Sequence, residues 1–423
     1  MMASGNAVAV VCRFRPLNTK ELEAGEAQVV EFLDSGTVAL DGKQFTLDRI
    51  FTPRMSQADV YDATARSIVE GVLTGYNGTV MAYGQTGSGK THTMEGTFGD
   101  PAMQGVVPRA VATLFDGIDA VAAHSEFVLQ LSAVEIYMER IRDLLRPAND
   151  PDAVNLRVHE DPVRGIYVDA LQHCVASEAD VFAATRTAQM SRRTAATKMN
   201  ELSSRSHYIF MLSVSARDKR SQLERKGVLY LVDLAGSEKV GRSGAEGQVL
   251  EEAKKINSSL SCLGNVIAAL VEQTARHVPY RDSKLTRLLQ QSFGGNSRTV
   301  LITTCSPAAS NAAETASTLR FGTCAKRVRN TPKVNEQRTL EQMTRELHAL
   351  EHKCALLQSG AAGPHDRSRR DVAIQTEGAQ RGPQKEPQRA LGLQRVKLEA
   401  TTFFSDDSSS SSSSGSTISS SSR

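Results

Sequence analysis

The chain has 423 residues, with 50 basic against 47 acidic side chains and a formal charge of +3. This is long enough for one large domain with a sizeable core and too evenly charged for a protein that coats nucleic acid. Hydrophobic residues make up 40% and six cysteines are scattered without a CxxC pair. With no apolar run near the roughly 18 residues of a membrane span, the expectation is a soluble cytoplasmic protein, partly unpacked, with reduced thiols and no nucleic-acid or membrane partner.

In chain order, the pattern predicts a strand over 7–14, a helix over 57–73 and a strand over 79–83. Strands follow at 127–132, 208–214, 228–232 and 300–304, with helices over 179–190 and 246–273 between them. Several strands are apolar on successive residues, as expected where both faces are covered. Strands interleaved with helices predict an α/β three-layer domain of about 330 residues. From Leu340 the apolar residues Leu340, Met343, Leu347, Leu350, Cys354 and Leu357 follow 3, 4, 3, 4, 3 spacing, a short heptad seam. The same seam is readable as one amphipathic helix packed back on the domain. Beyond Ser359 the chain turns rich in Gly, Pro, Arg and Gln, and 13 of the 18 residues from Ser405 to Ser422 are serine. Such a tail buries too little apolar surface to offset its ordering entropy and is expected to be disordered, as a kinase substrate or as solubilising sequence.

Gly84, Gln85, Thr86, Gly87, Ser88, Gly89, Lys90 and Thr91 fit G-x-x-x-x-G-K-[ST] directly after the apolar strand 79–83. In that context the glycines let backbone N–H groups turn toward a β-phosphate, and a helix N-terminus adds its dipole. Lys90 is placed to reach the β- and γ-phosphates and Thr91 to ligate Mg²⁺. A second anchor is Asp233, closing the apolar strand 228–232 and followed by Leu-Ala-Gly236-Ser-Glu238. A carboxylate there suits a Mg²⁺ shell, held through water, and Gly236 permits close approach to a γ-phosphate.

Tyr83-GQTGSGKT-His92, Asn200-ELSSRS-His207 and Asp233-LAGS-Glu238 together resemble the kinesin motor domain. The opening Cys12-RFRPL-Asn18, the block Val278-PYRDSKLT-Arg287, and Leu263-GNV-Ile267 add to the resemblance, which runs collinearly from about Val8 to Asn335. Val158-HE-Asp161 and Ala325-KRVR-Asn330 are most similar to conventional kinesins with an N-terminal motor. The resemblance implies a three-layer P-loop motor core, residues 1–323, with a central mixed β-sheet flanked by helices. A neck linker (324–335), a short coiled-coil neck (336–358) and a disordered tail (359–423) then follow.

By the same resemblance, Arg13 and Pro16 flank adenine with His92. Ser203 and Ser204 of switch I offer hydroxyls to the γ-phosphate, the metal or the attacking water, and the Gly236 N–H senses the γ-phosphate. Arg205 and Glu238 pair across it, with Glu238 relaying the proton. Helix 246–273 becomes a relay helix, and Lys254, Lys255, Arg276, His277, Arg281, Lys284 and Arg287 a basic surface for acidic tubulin. One departure is Ser258, where the family often has lysine. The implied protein is a plus-end-directed, microtubule-stimulated ATPase using ATP and Mg²⁺ on the microtubule cytoskeleton, dimerised through the neck. Asp371 to Glu377, DVAIQTE, resembles the Gln-Thr motifs that add a strand to dynein light chain, and is equally readable as plain linker. A GTPase would carry Asn-Lys-x-Asp, which the chain lacks. A non-motile scaffold would have lost one of Lys90, Thr91, Arg205, Asp233 or Glu238, and all five are intact. A depolymerising kinesin would place its basic neck before the core.

Overall fold

A computed structural model describes residues 7–97, 99–147, 149–161, 165–196, 204–238, 248–272, 277–337, 344, 347–348 and 350–355. Two units divide the chain, Met1–His352 and Lys353–Arg423, and the first holds the sheet and the candidate site. The predicted tail, the dynein-light-chain-like segment, Arg276 and the Ser203 end of switch I lie outside the described residues.

Each of the six predicted strands is present, as β1 (Ala9–Phe14), β2 (Gly78–Tyr83), β3 (Ser125–Tyr137), β4 (His207–Asp218), β5 (Glu224–Asp233) and β6 (Arg298–Cys305). All six join one mixed sheet in the order β1-β6-β2-β5-β4-β3, extended by Arg49–Phe51 beside β1 and by Arg140–Asp143 and Val154–Leu156 beyond β3. β1, β6, β2 and β5 run parallel, whereas β5, β4 and β3 are antiparallel. β3 and β4 outrun their predicted lengths. β3 is buried without a break only over 133–136 near its C-terminal end, and β4 only over 207–210 at its N-terminal end, with burial alternating away from those ends. Ser132 and Glu135 interrupt the apolar run in β3, so a search for apolar runs marks only part of each strand.

Besides a short helix at Thr19–Glu23, the described helices are α1 (Gln57–Thr64), α2 (Arg66–Leu73), α3 (Lys90–Met94), α4 (Val106–Val121), α5 (Glu178–Ala196), α6 (Gln248–Val271), α7 (Lys284–Leu288) and α8 (Ala312–Ala325). The predicted helix 57–73 is thus two helices. Thr64 turns its hydroxyl back onto the Val60 carbonyl, a bond that bends helices, and the chain breaks at Ala65. Alternate residues of each central strand feed opposite faces. Val80, Ala82, Phe210, Leu229 and Leu231 pack with Val69 of α2, Leu114 of α4 and Ala188 of α5. Met81, Tyr83, Ile209 and Val232 pack with Leu263 of α6, Leu288 of α7 and Leu319 of α8. This is the expected three-layer arrangement, and it aims the carboxyl ends of the parallel strands at a common crevice.

After α8 the chain does not leave the core. Val8 N–H donates to the Val328 carbonyl at 3.0 Å, Thr331 N–H to Gly295 at 2.9 Å and Asn335 N–H to Gly75 at 2.9 Å. The Asn335 amide also donates to the Gly75 and Lys226 carbonyls, and Glu336–Gln337 pair with Glu224–Arg225 at the start of β5. Asn330, 2% exposed, accepts from Gly294 N–H at 2.7 Å and donates to the carbonyls of Ser292 and Ser297. Asn330→Ala takes this bond from the Gly294 N–H and the Ser297 carbonyl, while the Ser292 carbonyl keeps the Thr299 hydroxyl at 2.8 Å. A loss of about 2 kcal/mol is therefore expected, read as a lower urea midpoint at unchanged slope. Residues 347–348 and 350–355 are helical, and Leu347 and Leu350 stand 57% and 60% exposed.

Candidate active site

β2 and β5 are parallel neighbours in register, with Val232 opposite Met81 and Asp233 opposite Ala82. Their carboxyl ends therefore deliver the glycine-rich loop and Asp233 to the same place. The loop turns sharply: Gly84 sits at φ +155°, and a Cβ there would fall against the Thr304 carbonyl of β6. Gly89 takes φ +103° as the cap of α3, a left-handed conformation that a side chain strains. Ser88, 2% exposed, pins the loop from below, donating to the Gln85 carbonyl at 2.7 Å and sharing a 2.6 Å bond with the Thr304 hydroxyl. The Gln85 amide holds Asn311 Oδ1 at 2.7 Å.

Lys90, 7% exposed, turns its ammonium onto the Gly84 and Gln85 carbonyls at 2.8 and 3.0 Å. Burial pushes its pKa down, opposed by the nearby charges of Asp233 and Glu238. Asp233 is the complement: burial pushes its carboxyl up, opposed by Lys90, the Thr91 bond and Arg192. Thr91 Oγ1 donates to Asp233 Oδ2 at 2.6 Å, and Asp233 Oδ1 is buried with no hydrogen-bond partner. A buried carboxylate with one oxygen unanswered, beside a hydroxyl and a buried cation, is a fitting oxygen set for Mg²⁺. Among the described residues no three His, Cys, Asp or Glu side chains cluster to hold a metal. An ion here would thus draw on these two side chains and on substrate phosphates.

The two switch segments meet backbone to backbone. Gly236 N–H donates to the Ser204 carbonyl at 2.8 Å, and Ser237 N–H to the Gly84 carbonyl at 3.2 Å. A Cβ on Gly236 would collide with the Glu238 carboxylate and the Thr86 hydroxyl. Glu238 itself lies over the phosphate loop, accepting from Thr86 N–H at 2.8 Å and from Thr86 Oγ1 at 2.5 Å. Its carbonyl accepts from the Asn257 amide of α6 at 3.0 Å. One residue so joins the loop to the long helix. Arg205, half-buried, is the next residue after Ser204.

At the other end of the loop, Arg13 donates to Gln57 Oε1 at 2.7 Å and to the Thr93 hydroxyl at 3.0 Å, and Gln57 donates to the His92 carbonyl at 2.7 Å. Burial lowers Arg13 to about 10, and burial, then Arg13, lowers His92. Pro16 is exposed and offers its carbonyl to Arg15. Arg15 and Gln57 escaped the sequence reading. Arg15 donates to the Gly87 carbonyl at 2.7 Å and is locked to Glu21 at 2.6 Å, which draws the Glu21 carboxyl down to about 2. The period of two along a strand would have found it, since Arg13 and Arg15 share a face. Gln57, a polar residue in a first helical turn, gives no such signal.

Of the proposed basic surface, Lys255, His277 and Arg281 are exposed, while the Lys254 side chain lies outside what is described. Lys284 opens α7 behind a Ser283 capping box, its N–H donating to Glu139 at 2.7 Å. Arg287 is 19% exposed and bonds Glu160 at 3.0 Å, which Arg281 also approaches at 3.7 Å. Ser258 is exposed on α6.

The comparisons with known proteins agree with this geometry. The kinesin motor domain model matches residues 13–328. The kinesin heavy chain of Drosophila melanogaster is 50% identical over 83% of this chain and 36% of its own length, and that of Neurospora crassa 51% identical over 80% and 36%. The chain thus spans little more than a third of those relatives. A solved structure described as a fast kinesin is 50% identical, with a TM-score of 0.74, over 80% of this chain and 96% of that one. Phosphate loop, Asp233 and Gly236 stand at the ends of the same parallel strands that the family model covers, and this chain belongs to the kinesin motor-domain family.

Proposed function

We propose that the chain is a microtubule-stimulated ATPase that couples ATP hydrolysis to plus-end-directed movement along microtubules. The observation that carries this reading is the double engagement of Glu238, side chain on Thr86 of the phosphate loop and carbonyl on Asn257 of α6. A change at the nucleotide is thereby felt by the helix that bears Lys255 and Ser258.

ATP would lie over α3 with its base beside Arg13, Pro16 and His92. Lys90 would exchange its two carbonyl partners for β- and γ-phosphate oxygens. Thr91 and Asp233 would hold Mg²⁺, directly and through water, and the ion would supply charge neutralisation across those oxygens. Gly236 N–H would leave the Ser204 carbonyl for the γ-phosphate. Glu238 would leave Thr86 to pair with Arg205, the pair orienting water for in-line attack and Glu238 taking up the proton. Phosphoryl transfer asks mainly for positioning and charge stabilisation, so no strong base is needed. The contacts of Thr331, Lys333 and Asn335 support a neck linker that docks after the core in one state and releases in another, an order–disorder switch. Exposed Leu347 and Leu350 support a dimerising neck, and Lys254, Lys255, Arg276, His277, Arg281, Lys284 and Arg287 the tubulin contact.

Steady-state ATP hydrolysis with and without taxol-stabilised microtubules, at two salt concentrations, tests the reading. Strong stimulation is expected, with the microtubule concentration at half-stimulation rising as salt screens the basic surface. Binding without stimulated turnover would point to a scaffold, with Ser258→Lys the first change to make.

A further inference from the structure

His207 opens β4 and is buried at 2% exposure, yet both its ring nitrogens are occupied. Ala235 N–H, which can only donate, points at Nδ1 at 3.0 Å. That fixes the ring as a neutral acceptor on Nδ1 and leaves the proton on Nε2. Nε2 lies 2.8 Å from Ser259 Oγ of α6, and Ser259 in turn donates to the Ile256 carbonyl of the same helix at 2.7 Å. Each proton in this chain has one place to be: Ala235 to imidazole, imidazole to Ser259, Ser259 to the helix backbone. Ser259 is 3% exposed and Ala235 fully buried, so no water substitutes for a lost link. Burial holds the imidazole pKa at about 3, so this donor pattern persists through the neutral pH range.

We propose that His207 is a positioning residue that couples the seat of α6 to the switch II backbone, so that a microtubule-induced movement of α6 is delivered to Gly236. The adjacent N–H, that of Gly236, is bonded to the Ser204 carbonyl, so a shift at Ala235 moves the next amide relative to switch I. The imidazole is rigid, and it ties α6 at Ser259 to a point two residues beyond Asp233. The direct bond from Asn257 to the Glu238 carbonyl ties the same helix further along switch II. Two links at different points fix the helix in orientation as well as distance. This coupling rests on the motor reading above.

The test uses the full chain and compares Ser259→Ala, His207→Asn and the double variant. Ser259→Ala removes the link on the helix side alone. Asn in place of His207 offers an oxygen near the Nδ1 position to Ala235 and no donor to Ser259. Basal turnover and the KM for ATP of Ser259→Ala are expected to stay at wild-type values, while microtubule stimulation falls about tenfold, within the range usual for coupling between sites. His207→Asn should lose the same factor of stimulation, and the double variant no more than either single. A merely structural role would lower basal and stimulated rates together and leave their ratio unchanged. Wild-type stimulation in Ser259→Ala, or single losses that multiply in the double variant, overturns the coupling alone. If His207→Asn does not fold, the Ser259→Ala ratio decides by itself. Absence of stimulation in the unaltered chain overturns the motor reading and the coupling with it.

Discussion

Glu238→Ala is expected to lower microtubule-stimulated ATP turnover by at least about 10²-fold while nucleotide still binds, the scale seen when one preorganised group leaves a transition state. The carboxylate bonds Thr86 N–H and Oγ1 on the exposed rim of the loop, so its removal leaves groups that water can satisfy and costs the fold little. Its carbonyl bond to Asn257 survives the substitution, which keeps α6 attached. What disappears is the group that would pair with Arg205 and accept the proton of the attacking water. Stopped-flow binding of a fluorescent ATP analogue followed by quench-flow phosphate formation separates the two steps. Binding at a wild-type rate with hydrolysis nearly absent is the expected pattern. Hydrolysis within about threefold of wild type would move proton uptake away from Glu238, since such a factor is below 1 kcal/mol.

Much of this site was legible because its chemistry is carried by local sequence. The glycines of the loop, Lys90 and Thr91 sit within one turn, and Asp233 ends an apolar strand; those patterns need no knowledge of topology. Sheet order then supplied what spacing alone could not, since only the β2–β5 pairing brings Thr91 to Asp233 across the chain. The rest was hidden for identifiable reasons. Gln57 contributes one amide to the backbone of α3, 35 residues later, and nothing in its surroundings marks it. Glu160 bonds Arg287 and lies near Arg281 from a separate hairpin, offsetting one of their two charges, so a linear count of basic residues overstates the free charge on that surface. The break at Ala65 arises from a hydroxyl back-bond, a tertiary-neutral detail that apolar periodicity passes over. His207 read as one letter of a switch motif, whereas its two partners, Ala235 and Ser259, come from different elements and appear only on folding.

Lys90→Met is expected to reduce affinity for ADP and ATP by about 10²–10³-fold, with little loss of stability in the nucleotide-free chain. These two effects usually travel together, and their separation follows from the bonds in place. The ammonium is buried, and burial works against its charge, so removing it also removes a desolvation cost. The carbonyls it leaves are not orphaned: Gly84 keeps the Ser237 N–H, and Gln85 keeps the Ser88 N–H and hydroxyl. Asp233 loses the attraction that opposes its burial, and its carboxyl pKa rises further while the Thr91 bond remains. In the bound state the balance reverses, because phosphate oxygens would meet no cation at the mouth of the loop. Thermal scans with and without saturating nucleotide resolve the two. For the unaltered chain a ligand at 100 times its Kd stabilises by about 2.7 kcal/mol, and a 10²-fold loss of affinity leaves only about 0.4 kcal/mol of that at the same concentration. An unfolding midpoint unchanged without nucleotide, and no longer raised by it, is the expected result. A midpoint that falls sharply without nucleotide would make Lys90 a structural cation of the loop, held by Gly84 and Gln85 for the fold itself.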